Sequence, residues 1–159
     1  MTKGTRLRLA LLVTFIAIVA CDRATKYVAT TLLAGTPPRS YLGDTVRIAY
    51  VENTGAFLSL GAGLPPIVRT AIFTVATGLL LLGFAAVAIR HRWSGWRGFG
   101  VALFVGGGLS NWIDRALRGS VVDFMNVGFG PLRTGVFNVA DMAIMAGVGM
   151  LIVAEFRRG

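Results

Sequence analysis

Between Ile67 and Ile89 the chain carries one charged residue, Arg69, near the start of the run. A segment this long and this apolar matches the thickness of a bilayer, not the face of a soluble domain. In hydrocarbon every backbone N–H and C=O must be satisfied internally, so such a run has to be a helix. Three other runs behave alike. Residues 9–33 are uncharged to Cys21 and then continue through Asp22, Arg23 and Lys26. Residues 98–117 are uncharged to Ile113, and residues 136–156 contain only Asp141 and Glu155. The pattern predicts an all-α membrane protein, one domain over residues 1–159, with four transmembrane helices at about 9–33, 67–89, 98–117 and 136–156. Composition agrees: 14% of residues are charged, where a soluble domain has about a quarter, and mean hydropathy is +0.70.

The net charge of +9 does not indicate nucleic acid, because the basic residues flank apolar runs and form no single patch. Lys3, Arg6, Arg8, Arg90, Arg92, Arg97, Arg157 and Arg158 crowd into two short tails and one short loop. That is the setting in which positive residues stay inside, so both termini are expected in the cytoplasm and both long connections outside. One cysteine, Cys21, excludes an intrachain disulfide. Ile18–Cys21 has the look of a lipid-acceptor signal, but cleavage there would remove a span and strip Asp22 and Lys26 of their helix. His91 lies between Arg90 and Arg92 and is expected to be solvated, with no catalytic role.

The long connections differ in texture. Residues 34–66 are rich in Gly and Pro, with one alternating β-branched stretch, Thr45–Val51, that predicts a short extracytoplasmic β element. Residues 119–135 read as an irregular loop, with Gly119, Gly128, Gly130, Pro131 and Gly135. Gly106, Gly107 and Gly108 permit close helix contact.

Charges beside hydrocarbon are costly, and the default reading of one is functional. Asp22 lies 14 residues past Arg8, about 21 Å along a helix. Asn111, Asp114, Arg115 and Arg118 share one helical face by their i, i+3, i+4, i+7 spacing. Asp141 stands about five residues inside the fourth span, and Asp123 sits in the connection before it. Separate helices therefore place their polar residues in one layer near the outer surface. Two adjacent carboxyls there cannot both ionise comfortably. One keeps a proton, and the pair can act as general base and general acid. Asp123 and Asp141 are the candidate catalytic pair, with no metal and no cofactor. Asn138 and Asp141 also have the spacing of a helix cap, which is compatible with that chemistry. Asp22 with Lys26, and Asp114 with Arg115, read as structural polar pairs. An ion path through a small transporter or channel subunit is the alternative, with a non-enzymatic scaffold as a third reading. Nearly all the inner-half residues are apolar, which argues against a path.

Five stretches in order resemble the signal peptidase II family over nearly the whole chain. They are Asp22-Arg23-Ala24-Thr25-Lys26, Asn53-Thr54-Gly55-Ala56, Gly106-Gly107 through Asn111-x-x-Asp114-Arg115, Val121-Val122-Asp123-Phe124 and Phe137-Asn138-Val139-Ala140-Asp141. The resemblance implies a multi-pass aspartic endopeptidase of the bacterial cytoplasmic membrane, its site at the extracytoplasmic face. It would remove signal peptides from diacylglyceryl-modified prolipoproteins just before the lipidated cysteine. It implies Asp123 and Asp141 as the catalytic pair, and Asn53, Gly55, Asn111, Arg115 and Asn138 as residues that line the groove or support them. It also implies three partners: a lipidated prolipoprotein, membrane lipid and a globomycin-type cyclic peptide inhibitor. Ser110, Phe57 and Met142 depart from the family's usual glycine, alanine, and serine or alanine.

Overall fold

The computed structural model describes residues 1–55, 61 and 63–157; Ala56 and Phe57 of the sequence motif lie outside these. Helix α1, Lys3–Leu33, begins earlier than residue 9 because the Thr2 hydroxyl accepts the Thr5 N–H and caps a polar first turn. Its 31 residues span about 46 Å, more than the hydrocarbon core alone requires. A second rod runs from Pro66 to Arg90 as α2 (Pro66–Thr70), a π-helical segment (Ala71–Ala76) and α3 (Thr77–Arg90). The wide turn has a local cause. The Trp112 indole N–H donates to the Thr74 carbonyl at 2.7 Å, and Gly78 makes room, since a Cβ there would lie 2.6 Å from that nitrogen. Helices α4 (Gly95–Arg118) and α5 (Val139–Phe156) complete the bundle.

Among the described residues, three helices are long and apolar enough to cross a membrane: Lys3–Leu33, Pro66–Arg90 and Val139–Phe156. α4 is long enough as well, but its last third carries Asn111, Asp114, Arg115 and Arg118. It is the hub of the bundle, and its glycine triplet shows why. A Cβ on Gly106 would meet Phe15 of α1, one on Gly107 would overlap the Ala140 carbonyl of α5, and one on Gly108 would press into Leu81 of α3. Three successive residues thus serve three different helices, which only a residue without a side chain allows. α4 then stops at Gly119, whose φ of +73° gives the left-handed cap.

The region expected to be an irregular loop, 119–135, is largely sheet. Strands β1 (Arg39–Tyr41), β2 (Val46–Asn53), β3 (Val121–Phe129) and β4 (Leu132–Arg133) form one antiparallel sheet in that order. β3 showed no alternation in sequence because Val121, Val122, Asp123 and Phe124 are all buried. A strand covered on both faces reads as an unbroken apolar run. Val122 and Phe124 pack on Ala29 and Leu33 of α1, joined by Ile48, Tyr50, Met125 and Val139. This cluster seats the sheet on the bundle. The expected strand at Thr45–Val51 is β2, two residues longer at its far end and one shorter at its start.

The fourth apolar run also starts later than expected. Phe137 is tied to Met125 in both directions (N–H to O at 2.8 Å, O from N–H at 2.9 Å), so residues 136–138 stay extended and the helix begins at Val139. Asp141 is therefore the third residue of α5.

The α4–α5 contact is sensitive to a single methyl group. Gly107→Ala is expected to lower stability by roughly 1–3 kcal/mol, because overpacking must push the Ala140 backbone away. Gly149→Ala in α5 has open space and should be neutral or stabilising. Thermal unfolding in detergent separates the two.

Candidate active site

The start of α5 is satisfied by two different parts of the chain. Asn138 and Asp141 form a reciprocal capping box: the Asp141 N–H donates to Asn138 Oδ1 at 3.0 Å, and the Asn138 N–H donates to Asp141 Oδ2 at 3.2 Å. The next orphan donor, the Ala140 N–H, reaches Asp22 Oδ1 of α1 at 2.8 Å. Asp22 is thus a cap supplied from another helix, a role that its spacing to Lys26 did not announce.

Strand β3 delivers the second carboxyl. Alternation along the strand turns Val122 and Phe124 to α1 and leaves Asp123 facing the capping residues. Asn138 Nδ2 donates to Asp123 Oδ1 at 2.6 Å, and Asn53 Nδ2 donates to Asp123 Oδ2 at 2.8 Å. Asn111 Nδ2 donates to Asp141 Oδ1 at 2.9 Å. One residue, Asn138, therefore touches both carboxyls, with its backbone to Asp141 and its amide to Asp123. Among their surroundings Asp123 is 1% and Asp141 8% exposed, so both charges are nearly removed from water.

Behind this pair lies an ion cluster. Lys26 Nζ sits 2.7 Å from Asp22 Oδ2 and 2.8 Å from Asp114 Oδ2, and donates to Asn111 Oδ1 at 2.6 Å. Asp114 is also paired with Arg23. The expected partnership of Asp114 with Arg115 is not what forms. Arg115, the neighbour on the same helix, instead donates to the Gly55 carbonyl at 2.7 and 3.2 Å. Gly55 in turn donates its N–H to Asn53 Oδ1 at 2.9 Å. Arg115 thus grips the connection after β2 and, through it, the amide that holds Asp123. Arg118, expected on the same polar face, is exposed. Ser110 is fully buried and donates to Asp22 Oδ2 at 2.6 Å, a bond glycine could not make.

With every group ionised, the described residues of this cluster carry one surplus negative charge. Four carboxyls (Asp22, Asp114, Asp123, Asp141) face three cations (Arg23, Lys26, Arg115). Asp22 and Asp114 are matched by Lys26 and Arg23, which leaves Arg115 with both Asp123 and Asp141. Burial pushes the Asp123 carboxyl up from 3.8 to about 6; the charge of Asp141 adds to the rise, and the bonds from Asn53 and Asn138 oppose it. The arrangement favours one proton on the pair, with Asp141 at a helix N-terminus where negative charge is complemented. Such a pair can withdraw a proton from water and protonate an oxygen or nitrogen opposite.

A sequence profile of the family described as signal peptidase (SPase) II matches residues 14–157. The chain is similar to the lipoprotein signal peptidase of Mycobacterium tuberculosis (strain H37Rv), 35% identical over 154 residues that cover 93% of this chain and 71% of that protein. It is similar to that of Mycobacterium avium (strain 104), with 36% identity over 93% of this chain and 79% of the relative. Among solved structures it resembles a bacterial membrane enzyme determined by the in meso method at 2.3 Å resolution. The TM-score is 0.81 with 24% identity, covering 93% of this chain and 88% of that one, a likeness of fold.

The raised Asp123 carboxyl has a thermodynamic signature. Because its folded value lies above its unfolded one, its contribution to stability is complete below about pH 3.8 and is lost as pH rises through about 6. Wild type is expected to lose about 2–3 kcal/mol relative to Asp123→Asn between pH 4 and 8. Parallel stability curves for the two proteins would contradict this.

Proposed function

Because this chain belongs to the signal peptidase II family, we propose that it is an aspartic endopeptidase that removes signal peptides from diacylglyceryl-modified prolipoproteins. The cut falls just before the lipidated cysteine. The observation that carries the aspartic mechanism is Asn138, which binds Asp141 through its backbone and Asp123 through its side chain. A residue shared in this way fixes two carboxyls from a strand and a helix with respect to each other.

In the proposed reaction the ionised member of the pair, Asp141, takes a proton from water. The resulting hydroxide attacks the scissile carbonyl carbon while Asp123 gives its proton to the carbonyl oxygen. The tetrahedral diol then collapses. The proton now on Asp141 passes to the leaving nitrogen, one diol hydroxyl returns its proton to Asp123 as its C=O forms, the C–N bond breaks, and one water has been consumed to yield a carboxylic acid and an amine. The pair ends with the single proton it began with. Asn53, Asn111, Asn138 and the Arg115–Gly55 contact hold the carboxyls and the adjoining groove in place; Asp22, Lys26 and Asp114 support them from behind. A globomycin-type cyclic peptide would occupy the same groove.

For the membrane, the proposal is a single domain over residues 1–159 with α4 as a fourth span. α4 packs against α1, α3 and α5 through its glycines, and its polar end meets the polar segment of α1. Buried inside the bundle, those groups need not face lipid. Four spans and the crowding of basic residues at one end put both termini in the cytoplasm. The carboxyl pair then lies at the extracytoplasmic surface of the cytoplasmic membrane, where a lipidated cysteine held in the outer leaflet could reach it.

Asp123→Asn and Asp141→Asn are each expected to cut turnover of a diacylated precursor by at least about 10³-fold, read as a gel shift, while the protein remains folded. Near-normal turnover in either would remove the mechanism. Asp22→Asn is expected to act differently. It deprives Lys26 of a buried partner and should lower stability by about 3 kcal/mol or more.

A further inference from the structure

The end of the bundle away from the carboxyls holds a cavity of about 860 Å³ between α1, α3 and α4. That is within the range of a built ligand site, about 300–1,000 Å³. Its walls are apolar, with Leu11, Phe15, Ala88 and Val101, yet Arg8 and Arg92 line it as well. Both arginines are exposed, and among the described residues neither has a carboxylate partner. Nearby Arg97, by contrast, is paired with Glu155 and lies over the Trp93 ring.

The backbone at Arg92 is a second, independent observation. α3 ends in a Schellman turn: the Arg92 N–H donates to the Ile89 carbonyl and the Trp93 N–H to the Ala88 carbonyl, each at 3.0 Å. The residue at this point takes a left-handed conformation, which glycine adopts freely and arginine does not. Here φ is +50° at Arg92. The chain places a long cation where local structure asks for glycine, and that cation borders the cavity. Strain of this kind points to a function for the side chain that bears it.

We propose that this cavity binds an anionic glycerophospholipid, its acyl chain against the apolar wall and its phosphate between Arg8 and Arg92. Two guanidinium groups without a counter-charge favour a headgroup of net negative charge over a zwitterion that carries its own cation. The walls belong to helices that a bilayer surrounds, so lipid is the ligand at hand. The site stands on the membrane reading of the helices and is independent of the hydrolytic one.

The test is thermal unfolding of the full chain in neutral detergent with added lipid. Phosphatidylglycerol should raise Tm by about 3–5 °C at saturation. Phosphatidylcholine with the same chains should raise it by less than half as much, and chain-free glycerophosphate should have no effect. The double variant Arg8→Gln/Arg92→Gln should lose the excess due to phosphatidylglycerol. Arg90→Gln, in the same basic turn but off the cavity, should keep it. Arg92→Gly should raise Tm in lipid-free micelles and still lose most of the excess, an outcome that a merely structural arginine would not give. Equal effects of the two lipids would overturn the proposal. So would an excess that survives the double variant or is lost equally in Arg90→Gln, or a glycerophosphate effect as large as that of the lipid.

Discussion

A carboxylate next to hydrocarbon has to be neutralised, and here four of them share three cations in one layer. Much of the structure follows from how that is done. Lys26 lies at the centre, touching Asp22, Asp114 and Asn111, and so ties α1 to α4. Asp22 then extends the network to α5 by taking the Ala140 N–H. Buried ion clusters of this kind add little net stability, since the cost of taking charges out of water offsets their attraction. What they provide is register. With each acceptor assigned to a particular donor, α1, α4 and α5 have little freedom to slide or rotate.

The carboxyl pair depends on that register. Asp141 is positioned by being the third residue of a helix whose first turn is capped from within by Asn138 and from outside by Asp22. Asp123 is positioned by a strand whose apolar side chains are locked against α1. Two unrelated elements are brought into fixed relation by one asparagine, with a second amide, Asn53, on the far oxygen of Asp123. Arg115 is tied to the connection through the Gly55 carbonyl, which keeps a full positive charge near the pair without neutralising either member by direct contact. The surplus carboxyl is then left with a choice between ionising in an apolar strand and keeping its proton.

Much of this was legible in the sequence, and the parts that were not have physical reasons. Run length and the position of charges gave the helices, since a bilayer imposes its thickness on the chain. The layer of acids pointed to Asp123 and Asp141, the family resemblance added Asn53, Asn111 and Asn138, and the structure brings all five into one hydrogen-bonded group. Strand β3 was missed because burial on both faces erases the alternation by which strands are recognised. The start of α5 was misplaced because Val136 and Phe137 are apolar and look helical, although their backbone is held by Met125. Asp114 and Arg115 are neighbours in sequence, which suggests a pair. The true partners, Arg23 and Lys26, lie on another helix, and no spacing within one segment reveals a partner on the next. Ser110 stands in the sequence only as a departure from a common glycine; its bond to Asp22 is visible only once α1 and α4 are packed.

The proposed chemistry requires one proton on the Asp123–Asp141 pair, inside a layer that would otherwise carry a surplus negative charge. Infrared spectroscopy of the purified protein reads that proton directly, because a protonated carboxyl and an ionised one absorb at different frequencies. At pH 5 the wild type should show a buried protonated aspartic acid that titrates near pH 6, and the band should vanish in Asp123→Asn and shift in Asp141→Asn. A spectrum with no protonated carboxyl at pH 5, or one whose titration is indifferent to the loss of either residue, would contradict the single proton and with it the proposed catalytic pair.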